Sequence, residues 1–279
     1  MFSSIKTRRI PSPRGESHAM WHDSLEVVPT PACRNNFFFY LPTNQTCYNS
    51  LMFDYQYAYL IGNIFILFPI WLVLFFYRRD LRVDILTMSL ICGTLGPISQ
   101  IWYLKDYWSP QTFTGTIVGI EDFLFGFFIG GITSVIYKEL FNKHISKPKS
   151  KRHHWRLIFL FTAIAIFIFN ILFYIFSINS IYASIIVFLS MASMMYYFRR
   201  DLFIDGLASG IFTGITMFLS YLVYLSIFPE VISKWWFLHN ISGILILGIP
   251  LEELVWAFSL GLVAGPAYEF FMGLRLLKN

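Results

Sequence analysis

Long apolar runs dominate this chain beyond its first fifty residues. Stretches such as YLIGNIFILFPIWLVLFFY and LIFLFTAIAIFIFNILFYIF match the roughly 20 residues a helix needs to cross a bilayer core. Lipid offers no hydrogen bonds to a backbone, so apolar runs of this length read as helices. Charged residues make up 13% of the chain, against about 25% in a soluble domain. Seven spans are expected, at roughly 57–77, 83–104, 114–141, 157–177, 180–198, 204–228 and 241–272. The expected fold class is an all-α integral membrane protein.

The net charge of +5 sits at span ends rather than in a nucleic-acid-binding patch. Connections after the first, third and fifth spans carry Arg78, Arg79, Arg82, Lys143, Lys147, Lys149, Lys151, Arg152, Arg156, Arg199 and Arg200. Arg275 and Lys278 follow the last span, and the opposite connections carry only Lys105 and Lys234. The positive-inside rule then places the N-terminus outside and the C-terminus in the cytoplasm. Residues 1–50 hold Pro, Ser and Arg without an apolar signal region, and are expected to form a poorly ordered tail. Cys33 and Cys47 lie in that tail, whereas Cys92 sits within a span as packing. Trp102, Tyr103, Tyr107, Trp108, Trp235 and Trp236 cluster at outer span ends, the expected place of an interfacial aromatic belt.

Two acidic pairs interrupt the apolar runs: Glu121-Asp122 in TGTIVGIEDFLFGF and Glu252-Glu253 in GILILGIPLEELVW. A carboxylate at membrane depth costs roughly 2.5–3.5 kcal/mol on insertion scales, which makes each pair a candidate functional site. Helices starting near 111–114 and 241 would bury Glu121 by roughly 10–15 Å and Glu252 by roughly 16 Å. Adjacent helical residues point about 100° apart, so one acid of each pair faces the bundle axis. Glu121 and Glu252 are the expected axis-facing residues, with Asp122 and Glu253 as partners. Pro250 is expected to kink the seventh span, with Gly119 at the equivalent place. Two close carboxyls tend to share one proton, which sets a neutral acid beside a carboxylate base.

The pairs also hold matching places in an internal repeat. Tyr77-Arg78-Arg79-Asp80-Leu81-Arg82-Val83-Asp84 resembles Phe198-Arg199-Arg200-Asp201-Leu202-Phe203-Ile204-Asp205, and Tyr137 and Tyr268 follow the acids at the same distance. Spans one to three thus recur as spans five to seven. The odd span between them makes the repeats parallel, about an axis along the membrane normal. The expected domains are a tail at 1–50, a first three-helix repeat at 51–141, a basic loop and linking helix at 142–177, and a second repeat at 178–279. Asp80/Asp84 and Asp201/Asp205 form a further set with i,i+4 spacing. They read either as helix-start acids beside basic anchors or, alternatively, as DxxxD magnesium ligands of a prenyltransferase. His144, His153 and His154 form no convincing metal set. No strand–GxGxxG–helix unit and no P-loop occurs. The seventh span has no central lysine, against a retinal-linked protein.

The segments around Glu121-Asp122 and Glu252-Glu253 resemble the repeated motif of the lycopene cyclase domain family of bacteria, archaea and fungi. Its hallmark is Pro-x-Glu-Glu/Asp in the third helix of each half. Pro250-Leu251-Glu252-Glu253 matches fully, while the first copy has Gly119 for proline and Glu121-Asp122 for the acids. The resemblance covers roughly residues 57–272 and implies the fused form of the family. It implies an intramolecular lyase or isomerase that closes β-rings on a linear carotenoid without net redox change and without a cofactor. Glu121, Asp122, Glu252 and Glu253 are the implied catalytic residues. Phe123, Phe125, Tyr221, Tyr224, Trp256 and Phe258 are candidate walls able to stabilise a carbocation. The expected partners are a lipophilic polyene within the bilayer and membrane lipid, with no nucleic acid. The competing readings are another carotenoid- or isoprenoid-modifying enzyme (a hydratase or the magnesium prenyltransferase) and a non-catalytic isoprenoid carrier.

Overall fold

The computed structural model of the chain describes residues 55–146 and 155–277. Seven helices there are long and apolar enough to cross a membrane, as a multi-pass protein requires. They are α1 (Tyr55–Tyr77), α2 (Arg79–Asp106), α3 (Ile120–Leu140), α4 (Ile158–Ile175), α5 (Ser180–Phe198), α6 (Arg200–Ile227) and α7 (Leu251–Met272). The expected tail with Cys33 and Cys47, and most of the lysine-rich loop with His153 and His154, lie outside the described residues. Five spans fall where the sequence placed them. The other two, α3 and α7, start at Ile120 and Leu251 rather than near 114 and 241. The residues ahead of α3 form turns, and those ahead of α7 form a hairpin of β2 (Leu245–Ile246) and β3 (Ile249–Pro250).

The reason is local. Gly119 caps α3 with extended backbone, and the Asp122 carboxylate accepts a bond from the Gly119 N–H at 2.8 Å. Pro250 caps α7 at φ −58°, the value its ring fixes. Acids in a first turn suit the positive end of the helix dipole. The expected proline kink is therefore absent at Pro250, which precedes the helix instead of interrupting it.

Helices α3 and α7 form the centre and are the most buried of the seven, while α4 is the least. The first packs along α2, α6 and α7, and the second along α6, α5 and α3. Small residues permit the close approach, as is usual between membrane helices. Gly126 lies against the Cys92 carbonyl of α2, and a Cβ on Gly261 of α7 would stand 2.6 Å from the Gly210 Cα of α6. The outer surface is apolar, with Val73, Phe76, Val83, Phe159 and Ile204 at 59–69% exposure. Water would not tolerate such a continuous apolar girdle on a monomer.

At one end the two Arg-Arg-Asp segments do the same work. Arg78 grips Asp80 and donates to the carbonyls of Lys138 (3.0 Å) and Lys143 (2.6 Å). Arg199 grips Asp201 and donates to the carbonyls of Glu269 (3.5 Å) and Leu274 (2.8 Å). Each arginine thus ties off the last turn of α3 or α7, whose final carbonyls lack helical partners. Beyond them β1 (His144–Ser146) pairs antiparallel with β4 (Arg275–Leu277).

Asp84 and Asp205 do not join Asp80 and Asp201. Residues 79–81 and 200–202 are 3-10 turns, so the i,i+4 spacing does not leave both acids on one face. Asp84 turns inward to a fully buried Lys138, 2.5 Å away, and Lys138 also meets the fully buried Glu269 at 2.5 Å. Asp205 lies beside this group, bonded by Ser209 at 3.2 Å. Asp80 and Asp84 thus meet different cations, Arg78 and Lys138. Among the described residues no group of three His, Cys, Asp or Glu could hold a metal. The Lys138–Glu269 pair joins α3 to α7 deep in the bundle. Breaking such a pair strands an uncompensated buried charge, at about 3–5 kcal/mol. Lys138→Met should accordingly lower the melting temperature in detergent, and Lys138→Met with Glu269→Leu should recover part of the loss. An unchanged melting temperature in the single variant would show that the pair is no lock.

Candidate active site

The opposite end of the bundle holds both acidic pairs, each in the first turn of its helix. The neighbours of a first turn differ by side, and this sorts the four carboxyls into two kinds. Glu121 and Glu252 point into the preceding loops. The Phe113 N–H donates to Glu121 Oε1 at 2.5 Å. The Tyr182 hydroxyl and the Ser242 N–H donate to Glu252 Oε1 at 2.7 and 2.9 Å. These two acids pin the segments that lead into α3 and α7. The Glu121 carboxyl sits so close over Gly119 that a Cβ there would collide with it, which accounts for glycine where the second copy has proline.

Asp122 and Glu253 instead line one cavity between the helices. The expected pairing of Glu121 with Glu252 across the axis is thus reversed. With α3 and α7 starting late, the second acid of each pair turns inward. Asp122 accepts from the Gly119 N–H on one oxygen and from the Tyr59 hydroxyl on the other, at 2.8 and 3.2 Å. Glu253 Oε1 takes the Tyr107 hydroxyl at 2.5 Å and the Trp236 indole N–H at 2.9 Å. Tyr221 lines the same cavity, near Glu253. Among the described residues no lysine or arginine bonds the two carboxyls, and neutral donors and two helix N-termini offset their burial.

The cavity has a volume of about 230 Å³, between walls that are mostly apolar and aromatic. One turn beyond each inward acid, Phe125 and Trp256 meet nearly parallel with centroids 6.1 Å apart. Phe188 stands edge-on to Trp256, and Trp256 donates to the Tyr103 hydroxyl at 3.0 Å. Tyr221 and Tyr224 complete the predicted walls. Phe123 and Phe258, also expected there, do not line it. Phe123 packs over Gly93 of α2 and Phe258 over Gly210 of α6, because their positions on the helix turn them toward those neighbours. Leu95, 42% exposed, is both a wall residue and part of the outer surface, and so marks a mouth between the helices.

The outer aromatics also differ from a lipid-facing belt. Tyr107, Trp235 and Trp236 are only 3–5% exposed and roof the cavity. Trp108 bridges to Trp236 in extended conformation, and the Phe237 N–H bonds the Tyr107 carbonyl. Sequence reasoning missed Tyr59, Tyr107 and Trp236 as carboxyl partners, and Asn63 as a partner of the α3 backbone. Asn63 lies in a π-helical turn of α1 (Asn63–Leu67) and donates to the Glu121 carbonyl at 3.2 Å. A polar side chain inside an apolar span was the available signal.

Fold and site together define a multi-helix, membrane-length bundle that holds a carboxyl pair in an apolar aromatic cavity. A model of the lycopene cyclase family matches residues 179–271, the stretch that takes in α5, α6 and nearly all of α7. That match supports a carotenoid cyclase-like role. No curated protein and no solved structure matches the chain.

Glu252 is the tie that holds the 241–250 hairpin. A hydrogen bond to a charged group contributes about 1.5–3 kcal/mol. Glu252→Ala should therefore speed amide exchange across 241–250 by on the order of 10–100-fold, leaving α7 protected. Unchanged exchange at Ser242 would remove this role.

Proposed function

We propose that the chain is a membrane-embedded, lycopene cyclase-like enzyme that closes β-rings on a linear carotenoid by carboxyl acid–base catalysis. One observation carries the reading: Asp122 and Glu253, one from each acidic motif, line a single apolar aromatic cavity. The reading takes the chain as a pair of parallel three-helix repeats, 51–141 and 178–279, joined through 142–177. Matching Arg78 and Arg199 clamps and matching acids in the first turns of α3 and α7 favour this arrangement. The acidic end then faces outward and the arginine end the cytoplasm.

Cyclisation is a rearrangement of protons and bonds with no net redox change, so it requires no hydride carrier. Glu253 acts as the acid: its indole and Tyr107 donors crowd Oε1, which leaves Oε2 to carry the proton. That proton adds to the terminal double bond of the polyene. The resulting tertiary cation is attacked by the neighbouring double bond and a six-membered ring closes. Asp122 acts as the base, since both of its oxygens already accept hydrogen bonds as an anion's do. It removes a proton from the ring and leaves the ring alkene. The faces of Trp256 and Phe125 stabilise the passing cation, by about 1–2 kcal/mol each when water is excluded. Glu121 and Glu252 act as positioning residues through the loops they hold.

The test is expression in a lycopene-accumulating bacterium with chromatography of the extracted pigments. Ring-bearing carotenoid should appear. Asp122→Asn and Glu253→Gln should each lower its yield by about 100-fold or more, the usual contribution of a general acid or base. Glu121→Gln and Glu252→Gln should keep most of it. Undiminished ring formation in Asp122→Asn or Glu253→Gln would overturn the assignment.

A further inference from the structure

A serine inside a helix can bond a carbonyl of its own helix one turn earlier. Ser99, Ser184, Ser226 and Ser259 do so here, at 2.6–2.9 Å. Ser220 of α6 does not. Its hydroxyl is buried with no hydrogen-bond partner among the described residues. Tyr224, one turn further along α6, has a hydroxyl in the same condition. Both residues are only 8% exposed, and both line the cavity that Asp122 and Glu253 face.

The two hydroxyls stand on the wall nearest the chemistry. Residues four apart on a helix share one face. The Tyr224 ring lies against Gly62 of α1, so closely that a Cβ there would stand 3.0 Å from it. Gly62 is one turn from Tyr59, whose hydroxyl bonds Asp122 at 3.2 Å. On the same turn of α6, the Tyr221 ring centroid is 6.2 Å from that of Trp236, which donates to Glu253 at 2.9 Å. Residues 220–224 thus wall the space that both carboxyls face.

Packing alone does not call for these hydroxyls. Alanine and phenylalanine would fill the same places, and a buried donor left unpaired costs free energy. A linear hydrocarbon polyene carries no polar atom to satisfy them. Water is the small molecule that does. A buried water is held by roughly 2–4 hydrogen bonds, and each hydroxyl can donate or accept one. The cavity, at about 230 Å³, has room for a molecule of about 30 Å³.

We propose that Ser220 and Tyr224 hold a water molecule in the reaction cavity, and that this water gives the chain a second activity, hydration of the polyene end to a tertiary alcohol. The step branches from the cation of ring closure. Glu253 delivers its proton to the terminal double bond. The water oxygen then gives a lone pair to the tertiary cation, and a C–O bond forms in place of the C–C bond that closes the ring. The resulting oxonium loses its extra proton to Asp122. One water is added across the double bond, and nothing is oxidised or reduced. The proposal rests on the acid step of the cyclase reading and goes beyond it, because ring closure consumes no water.

The test follows both products at once. Membranes bearing the full chain, and matched membranes without it, are supplied with lycopene in buffer made from oxygen-18 water. The pigments are then separated and identified by mass. Wild-type membranes should form ring-bearing carotenoid together with an acyclic tertiary alcohol that carries the heavy oxygen. Ser220→Ala and Tyr224→Phe should each lower the ratio of alcohol to ring about tenfold, the worth of one hydrogen bond. The ratio is internal to each sample, so poor accumulation of a variant does not affect it. A merely structural role would lower both products alike. Rings without alcohol overturn the water site and leave the cyclase reading standing. Alcohol without rings does the reverse. An unlabelled alcohol, or a wild-type ratio in either variant, also overturns the water site. If neither product forms, the shared acid step fails and both readings fall.

Discussion

Ionisable groups in an apolar bundle must each find a partner, and that constraint organises both ends of this protein. Carboxyls dominate the problem, with Glu121, Asp122, Glu252, Glu253, Asp84, Asp205 and Glu269 all buried. Two different solutions appear. At the arginine end the answer is a cation: Lys138 stands between Asp84 and Glu269, with Asp205 close by. At the other end no cation among the described residues bonds the carboxyls, and the answer is two helix N-termini with tyrosine, indole and backbone donors. The first solution fixes charge and suits a lock between α3 and α7. The second is the arrangement on which the proposed acid–base chemistry rests.

The acidic end works because α3 and α7 begin inside the bundle's depth rather than at its outer edge. A helix that starts late needs a connecting segment in extended or turn conformation, and those backbones must be satisfied. Glu121 and Glu252 meet that demand for the segments ahead of α3 and α7. Their neighbours Asp122 and Glu253 are thereby released to the cavity. Division of labour within each pair follows from a rotation of about 100° between consecutive residues. The outer aromatics close the roof above the cavity through Tyr107, Trp235 and Trp236, instead of anchoring the bundle in lipid.

Much of this was legible from residues alone. Seven apolar runs gave seven helices, because span length is set by bilayer thickness. The matching Arg-Arg-Asp segments and acidic pairs marked both ends. Some of what was missed was also present as signal. Glycine or proline followed by two acids is the signature of a helix start, yet membrane-length hydropathy carried the expected spans outward past it. Lys138 and Glu269 follow Tyr137 and Tyr268 directly, an exchange of charge between equivalent places that foreshadows their ion pair. Other features were not written locally. Nothing near Tyr59 says that its hydroxyl meets a carboxyl 63 residues away, nor that Tyr107 and Glu253 touch across 146.

The sequence by itself determined the helices, their number and the types of group that had to be buried, since these follow from apolar length and from the chemistry of each side chain. The family to which the second half is similar was likewise carried by a short contiguous motif. Tertiary structure alone decided which acid of each pair faces the cavity, which aromatics wall it, and which cation meets which carboxylate. Those outcomes depend on where a helix starts and on how it is rotated against neighbours distant in the chain. A one-residue difference in that rotation exchanges Glu121 for Asp122.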